Sequence, residues 1–204
     1  MKAETGQIAA LSALLAVTGW LGISGPGRLD REVLMLANAW RSAPADAAFA
    51  SLSWLGSLFV LLPLAAVLGL SLWRRGHRGA ARYLMLALLG ASALAEVAKQ
   101  IVQRPRPDLF AALTPVVSPY SFPSAHALQV TATAVAAWLL VRQLAPDYSR
   151  QALLVLVLVV ILVDLSRIYL QVHYPSDVLA GSMIGICWVV GLGRMFTARC
   201  ATDA

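Results

Sequence analysis

Six long apolar stretches, separated by short polar segments, constrain this chain more than any other feature. They run from Gln7 to Ile23, Trp54 to Trp73, Ala81 to Ala98, Ala125 to Val141, Ala152 to Ile168 and Val178 to Phe196. About 20 apolar residues let a helix cross the hydrocarbon core of a bilayer. The reading is an all-α polytopic membrane protein of six transmembrane helices, with residues 1–204 forming a single domain. Composition agrees, because 59% of residues are hydrophobic and 13% charged, against about 25% charged in a soluble domain. Disorder and a collagen-like chain are excluded. The first stretch reads as an uncleaved helix, since it has no convincing cleavage site and further spans follow. Several stretches are short for a span and should extend into their polar flanks. Trp54 and Trp73 bracket the second as interface anchors, and Pro63 should kink it. Gly25, Pro26, Gly27 and Pro44 punctuate the first loop.

The formal net charge is +6. Its basic residues lie between apolar runs, which points to anionic lipid or a phosphorylated substrate and not to nucleic acid. Six crossings would place Lys2, Arg74, Arg75, Arg78, Arg82, Arg142, Arg150, Arg194 and Arg199 on one side. Arg28, Arg31, Arg41, Lys99, Arg104, Arg106 and Arg167 would lie on the other. The dense run "RRGHRGAAR", which includes His77 as an interface residue, marks the first side as the inner one. Both termini are therefore expected inside. The third span's end, the fourth's start, the fifth's end and the sixth's start then share the outer face. Cys187 and Cys200 form no CxxC or disulfide framework.

Three polar islands fall at those four ends: "KQIVQRPRP", "YSFPSAHA" and "SRIYLQVHYPSD". The first carries Lys99, Arg104 and Arg106. The second carries Ser121, Ser124 and His126. The third carries Ser166, Arg167, His173 and Asp177. Together they suit a phosphoryl group. Lys99, Arg106 and Arg167 supply three cations, two of them planar forks for phosphate oxygens. Ser124 offers a hydroxyl, and backbone N–H groups at the start of the fourth helix can face an anion. One histidine can attack phosphorus and the other can protonate the departing oxygen. Spacing alone leaves open which does which. Asp177, four residues after His173, can fix its tautomer. A metal site on His126, His173 and Asp177 is disfavoured, because three cations would repel a divalent ion and already do its electrostatic work. Glu96 and Asp164 each lie three residues before a cation, Lys99 and Arg167, on the same helix face. They are expected to orient those cations from behind. Arg104 and Asp108 are expected to form a local ion pair.

The three islands resemble the three-part motif of type 2 phosphatidic acid phosphatases, the PAP2 superfamily: K-x6-R-P, P-S-G-H and S-R-x5-H-x3-D. Here these are Lys99 to Pro107, Pro123 to His126 and Ser166 to Asp177, with every internal spacing intact. The family glycine of the second part is Ala125, which implies an ordinary helical start with its N–H still available. The resemblance implies a PAP2-type helical core and a metal-independent phosphatase with no cofactor. It implies that His173 is the nucleophile forming a phosphohistidine, that Asp177 orients it and that His126 is the general acid. Lys99, Arg106, Ser124, Ala125 and Arg167 correspond to phosphate-binding positions. The expected substrate is a membrane lipid phosphate or diphosphate: undecaprenyl diphosphate, phosphatidylglycerol phosphate or phosphatidic acid. The expected setting is the bacterial inner membrane, with the site on the periplasmic or outer side. A lipid phosphotransferase on the same scaffold and a non-enzymatic phosphate-binding membrane protein are the alternatives.

Overall fold

A computed structural model describes residues 2–202 of the chain, and the side chains of residues 11–194. Lys2, Arg199 and Cys200, used above for orientation and cysteine chemistry, lie outside the described side chains. The helices are α1 (Lys2–Ser24), α2 (Arg28–Ala39), α3 (Ala43–Ser53), α4 (Leu58–Arg74), α5 (Arg78–Val102), α6 (Ala125–Leu144), α7 (Ser149–Tyr169) and α8 (Pro175–Thr202), with short 3-10 turns at Trp54–Gly56 and Pro146–Tyr148.

The expectation of six spans does not hold. Among the described residues, four helical segments are long and apolar enough to cross a bilayer: Arg78–Val102, Ala125–Leu144, Pro146–Tyr169 and Pro175–Arg194. A fifth exists only if Ala43–Gly56 and Leu58–Arg74, bent by 44° to each other, count as one broken span. The reason lies in the backbone. The second apolar stretch is interrupted by the 3-10 turn and by Ser57, whose extended backbone and hydroxyl cap α4 by accepting from the Phe59 N–H. What remains is 17 residues, about 26 Å of helix at 1.5 Å per residue, short of the ~30 Å core. Pro63 lies inside α4, and the break precedes it. The described apolar part of α1, Leu11–Ser24, is also short. Placing both termini on one side relied on six crossings and loses that support.

The first loop is also more ordered than its Gly and Pro residues imply. Pro44 opens α3 at its first turn, where a missing N–H costs nothing, behind the cap residue Ser42. α2 is amphipathic: Asp30 and Leu34, one turn apart, are buried, while Arg28, Arg31 and Glu32 are exposed. α2 and α3 pack on α7.

The central helix is α6, packed against α5, α7 and α8. Its buried face is small and lightly polar, with Ala127, Thr131, Ala132, Ala134 and Ala136. Gly181 and Gly185 let α8 approach it closely. A Cβ at Gly181 would stand 2.6 Å from the Ser124 carbonyl, and one at Gly185 2.9 Å from that of Leu128. Small residues four apart are a general device for tight helix contact in lipid. Leu84, Leu88, Leu128, Val163 and Val189 fill the core, while Leu154, Val155, Leu158, Ile161 and Leu165 of α7 face outward, as lipid contact requires. The end of α5, the start of α6, the end of α7 and the start of α8 meet at one end of this bundle. That convergence needs only the four consecutive helices, so a count of four or five spans in place of six leaves it intact.

Candidate active site

Helix register delivers the cations. On α5, residues 87, 91, 95 and 99 form one buried stripe, so the face that buries Ala87, Ala91 and Ala95 carries Lys99 inward. On α7, the face that buries Val163 also carries Ser166 and Arg167. α5 stops at Gln103, whose φ of 50° is left-handed. A second left-handed residue, Gln171 (φ 61°), turns the chain after α7. Non-glycine residues rarely adopt this conformation, and both examples flank the polar cluster. The Gln103 turn sends Arg104 and Arg106 back over the helix end. The Gln171 turn, held by its side-chain amide donating to the Leu34 carbonyl at 3.1 Å, presents His173.

His173 lies at the centre and is buried. Its Nε2 is 3.3 Å from an Arg106 nitrogen. Its Nδ1 faces Asp177 Oδ2 at 3.7 Å, an approach just longer than a hydrogen bond. Burial pushes the imidazole down to about 4; the Asp177 carboxylate opposes this, and Arg167 and Arg106 add to it. The ring is therefore neutral at neutral pH, and the lone pair on Nε2 faces the Arg106 N–H as an acceptor. Arg106 donates to the Ser118 and Val172 carbonyls, each at 2.7 Å. Its guanidinium is lowered by burial and held up by Asp177, and it stays charged at any ordinary pH. Arg167 is buried and donates to the Ser53 hydroxyl. Lys99 is buried, and its charge interacts with those of Arg106 and Arg167.

Ser124 caps α6. Its hydroxyl accepts from the Ala127 N–H at 3.5 Å, and its own N–H donates to the Asp177 carbonyl at 3.0 Å. Leu128 N–H is taken by the Ser124 carbonyl. That leaves the N–H groups of Ala125 and His126 as the free donors of the first turn. Ala125 opens α6 as an ordinary helical residue, as expected. His126 follows it, and its ring feels the charges of Arg167, Lys99 and Arg106. The three islands thus assemble into one cluster: Lys99, Arg106, Ser124, Ala125, His126, Arg167, His173 and Asp177.

Three expected pairings look different in space. Arg104 does not pair with Asp108, which is exposed. It donates to Asp177 Oδ1 at 2.7 Å across 73 residues, and also to Ser176 Oγ at 3.0 Å and to the Leu21 carbonyl of α1. Glu96 is exposed and accepts from Gln100 at 2.9 Å. Asp164 accepts from Ser182 at 2.8 Å. Neither carboxylate forms an ion pair with its neighbouring cation.

The structure also adds residues the sequence reading passed over. Asp30 of α2 accepts from the Ser176 N–H and hydroxyl at 2.9 and 2.8 Å, which extends the Arg104–Asp177 network to the amino-terminal helices. Ser53 holds Arg167. No local spacing signals either residue. Both Asp177 oxygens are occupied, one by Arg104 and the other by the Tyr174 N–H at 2.9 Å. The set His126, His173 and Asp177 therefore makes no ligand cage. Among the described residues no group of three or more His, Cys, Asp or Glu side chains is placed to hold a metal ion.

A membrane-embedded helical bundle with a buried cationic and histidine-bearing cluster at one end defines the class. Residues 80–200 match the PAP2 superfamily. Phosphatidylglycerophosphatase B of Bacillus subtilis (strain 168) is 31% identical over 167 residues, covering 78% of this chain and 76% of that protein. Undecaprenyl-diphosphatase of Sulfolobus acidocaldarius is 31% identical over 162 residues, covering 78% and 73%. The crystal structure of a transmembrane PAP2 type phosphatidylglycerolphosphate phosphatase from Bacillus subtilis has a TM-score of 0.82 at 25% identity, covering 91% of this chain and 94% of that one. The chain belongs to the PAP2 superfamily and is a multi-pass membrane lipid phosphatase.

Proposed function

We propose that this enzyme hydrolyses a lipid phosphate or diphosphate through a phosphohistidine on His173, without a metal. The observation that carries the reading is the placement of His173. Its Nε2 points at the Arg106 cation, and its Nδ1 faces a carboxylate that Arg104 holds in place. A phosphate bridging Lys99, Arg106 and Arg167 puts phosphorus in front of Nε2. The neutral imidazole attacks, the P–N bond forms and the P–O bond to the lipid breaks. Asp177 stabilises the imidazolium through Nδ1–H. His126 delivers the proton to the departing lipid oxygen. The bound phosphate supplies the negative charge that lets a protonated His126 stand beside three cations. Water then attacks phosphorus, His126 takes its proton, and inorganic phosphate leaves. The hydroxyl of Ser124 and the amides of Ala125 and His126 hold the equatorial oxygens, where charge grows in the transition state.

The setting we propose is the bacterial cytoplasmic membrane, with the site at its outer face. The basic run at residues 74–82 lies at the opposite end of α5 from Lys99, which favours that orientation. An outer-facing site suits undecaprenyl diphosphate released during wall synthesis. Phosphatidylglycerol phosphate must first reach that leaflet. The relatives support both substrates, one being a phosphatidylglycerophosphatase and another an undecaprenyl-diphosphatase. The loop 108–122, with Val116 and Val117 exposed, offers an apolar rim to a lipid tail.

The test is phosphate release in liposomes with EDTA, comparing undecaprenyl diphosphate, phosphatidylglycerol phosphate and phosphatidic acid. His173→Ala should fall by about three orders of magnitude or more, the scale on which removing a nucleophile acts. Acid-labile, alkali-stable phosphate trapped on wild type and absent from His173→Ala would mark the intermediate. Release that survives in His173→Ala would overturn the mechanism. A membrane-impermeant thiol reagent on Val117→Cys in intact cells reads the orientation, and protection of that cysteine would reverse it.

A further inference from the structure

At the end of the bundle opposite the site, α4 and α5 form an open surface groove of about 420 Å³, lined by Gly69, Leu70, Trp73, Ala81, Arg82 and Met85 among others. All but Arg82 of these are apolar. Arg82 lines it, Arg78 lies over its Trp73, and Arg74, Arg75 and His77 lie at the adjoining turn between the two helices; all five are exposed. No acidic residue occurs between Asp46 and Glu96, and Glu96 sits near the other end of α5. Among the described residues, none of these four arginines has a carboxylate partner.

Two of the arginines are nonetheless held in place. The guanidinium carbons of Arg78 and Arg82 lie 5.4 and 5.6 Å from the centroid of the Trp73 ring. A cation–π contact engages the guanidinium without neutralising it, and its N–H donors remain for an oxyanion. An apolar trough that runs into a fixed, uncompensated pair of cations at the membrane surface matches one kind of molecule: an amphiphile with an anionic head.

We infer that this groove binds an anionic phospholipid of the leaflet opposite the site. One acyl chain lies against Gly69, Leu70 and Met85, and the phosphodiester meets Arg78 and Arg82. Basic pockets between helices commonly take such head groups. A phosphodiester lipid there is a bound partner and not a substrate, because the histidines are at the other end of the bundle. The inference does not depend on the chemistry proposed for the site.

The test is native mass spectrometry of the full chain in detergent, titrated with phosphatidylglycerol or phosphatidylcholine. One phosphatidylglycerol should be retained at concentrations where phosphatidylcholine is lost. The double variant Arg78→Gln, Arg82→Gln should weaken that retention at least tenfold. Gly69→Leu should weaken it as well. A Cβ at Gly69 meets only ordinary contacts, with Met85 Cγ at 3.8 Å, so a longer side chain enters the groove. The thermal midpoint in detergent monitors folding. If Gly69→Leu does not fold, the exposed arginine pair decides alone. Equal retention of the two lipids, or phosphatidylglycerol retention unchanged in the arginine variant, would overturn the site and leave only a diffuse basic surface.

Discussion

Arg104 and Arg106 are separated by a single proline, yet they belong to two different halves of the site. Arg104 belongs to a closed half. It meets the Asp177 carboxylate at 2.7 Å, and Asp177, Ser176 and Asp30 continue the network without a gap. Arg106 belongs to an open half. Its partners are the Ser118 and Val172 carbonyls, and Arg167 is held by the Ser53 hydroxyl. Neutral acceptors fix a cation's geometry without cancelling its charge. A carboxylate does both. The closed half thus spends its charge on structure, while the open half keeps three positive charges in a poorly hydrated place, ready for an anion. His173 stands between them, with one ring nitrogen toward each.

The widest separation should come from neutralising one arginine at a time. Arg104→Gln strands the Asp177 carboxylate in a site from which water is excluded. Breaking a buried ion pair costs about 3–5 kcal/mol, so the thermal midpoint should fall steeply. Turnover should collapse as well, because Asp177 no longer aims His173. Arg106→Gln removes a cation that has no carboxylate partner of its own. Its thermal midpoint should change little or rise, while kcat/KM for lipid phosphate falls about 10²–10³-fold, the scale of one lost electrostatic stabiliser. Thermal unfolding and phosphate release on the two purified variants decide the matter. Equal effects on stability would erase the distinction between the halves.

The next effect concerns His173 itself. Its folded value is about 4, below the usual 6.5 of an unfolded histidine. Between these values the unfolded chain binds the extra proton, so stability rises with pH across that window. The contribution of His173 is fully present above about pH 6.5 and is lost as pH falls toward 4. Wild type should lose thermal stability between pH 6.5 and 4 faster than His173→Asn, whose side chain does not titrate there. The difference between the two curves isolates this group from carboxylates that titrate in the same range. Parallel curves would mean that His173 is not kept neutral by burial.

Asp30 offers a milder probe of the closed half. Both its oxygens serve Ser176, and Oδ2 also accepts from the Gly27 N–H at 3.0 Å. Asp30→Asn replaces one acceptor by a donor, a mismatch worth about 1–3 kcal/mol where buried. The strain reaches substrate only through Ser176, Arg104 and Asp177. A severalfold fall in kcat with KM unchanged is the expected signature. A rise in KM alone would place Asp30 in lipid binding and not in aiming the nucleophile.

These partners also show what a sequence can and cannot reveal. The three islands were legible because Lys, Arg, His and Asp are costly in an apolar chain and stood out at the ends of long runs. α5 to α8 were legible for the same reason, and each extends past its apolar run into the flanks, as expected. A local reading pairs Arg104 with Asp108 because it sees only separations of three or four residues. Its actual partner is 73 residues away, and Asp30 is 146 residues from Ser176. α2 and α3 escape a linear reading because each is short, and Gly27 at the cap of α2 and Pro44 in the first turn of α3 read as loop residues. The count of six spans failed because apolarity measures length along the sequence, whereas the turn at Trp54–Gly56 and the cap at Ser57 divide the second run in space.

The smallest effect tests how far the open half depends on carboxylates at all. Glu96 precedes Lys99 by three residues, yet its side chain is exposed and bonded by Gln100. Its charge still acts favourably on that of Lys99, but from the lipid-facing side of the helix and without an ion pair. Glu96→Gln should therefore change kcat/KM by less than about threefold, the scale of an exposed charge pair. A drop of tenfold or more would show that Lys99 needs a carboxylate to hold it. The open half would then be organised like the closed one, and the contrast between Arg104 and Arg106 would describe two residues instead of two regions. A small change would leave Lys99 positioned by its helix alone, through the buried stripe of Ala87, Ala91 and Ala95. In that case none of Lys99, Arg106 and Arg167 is tied to a carboxylate by an ion pair, and the two arginines are held by neutral acceptors.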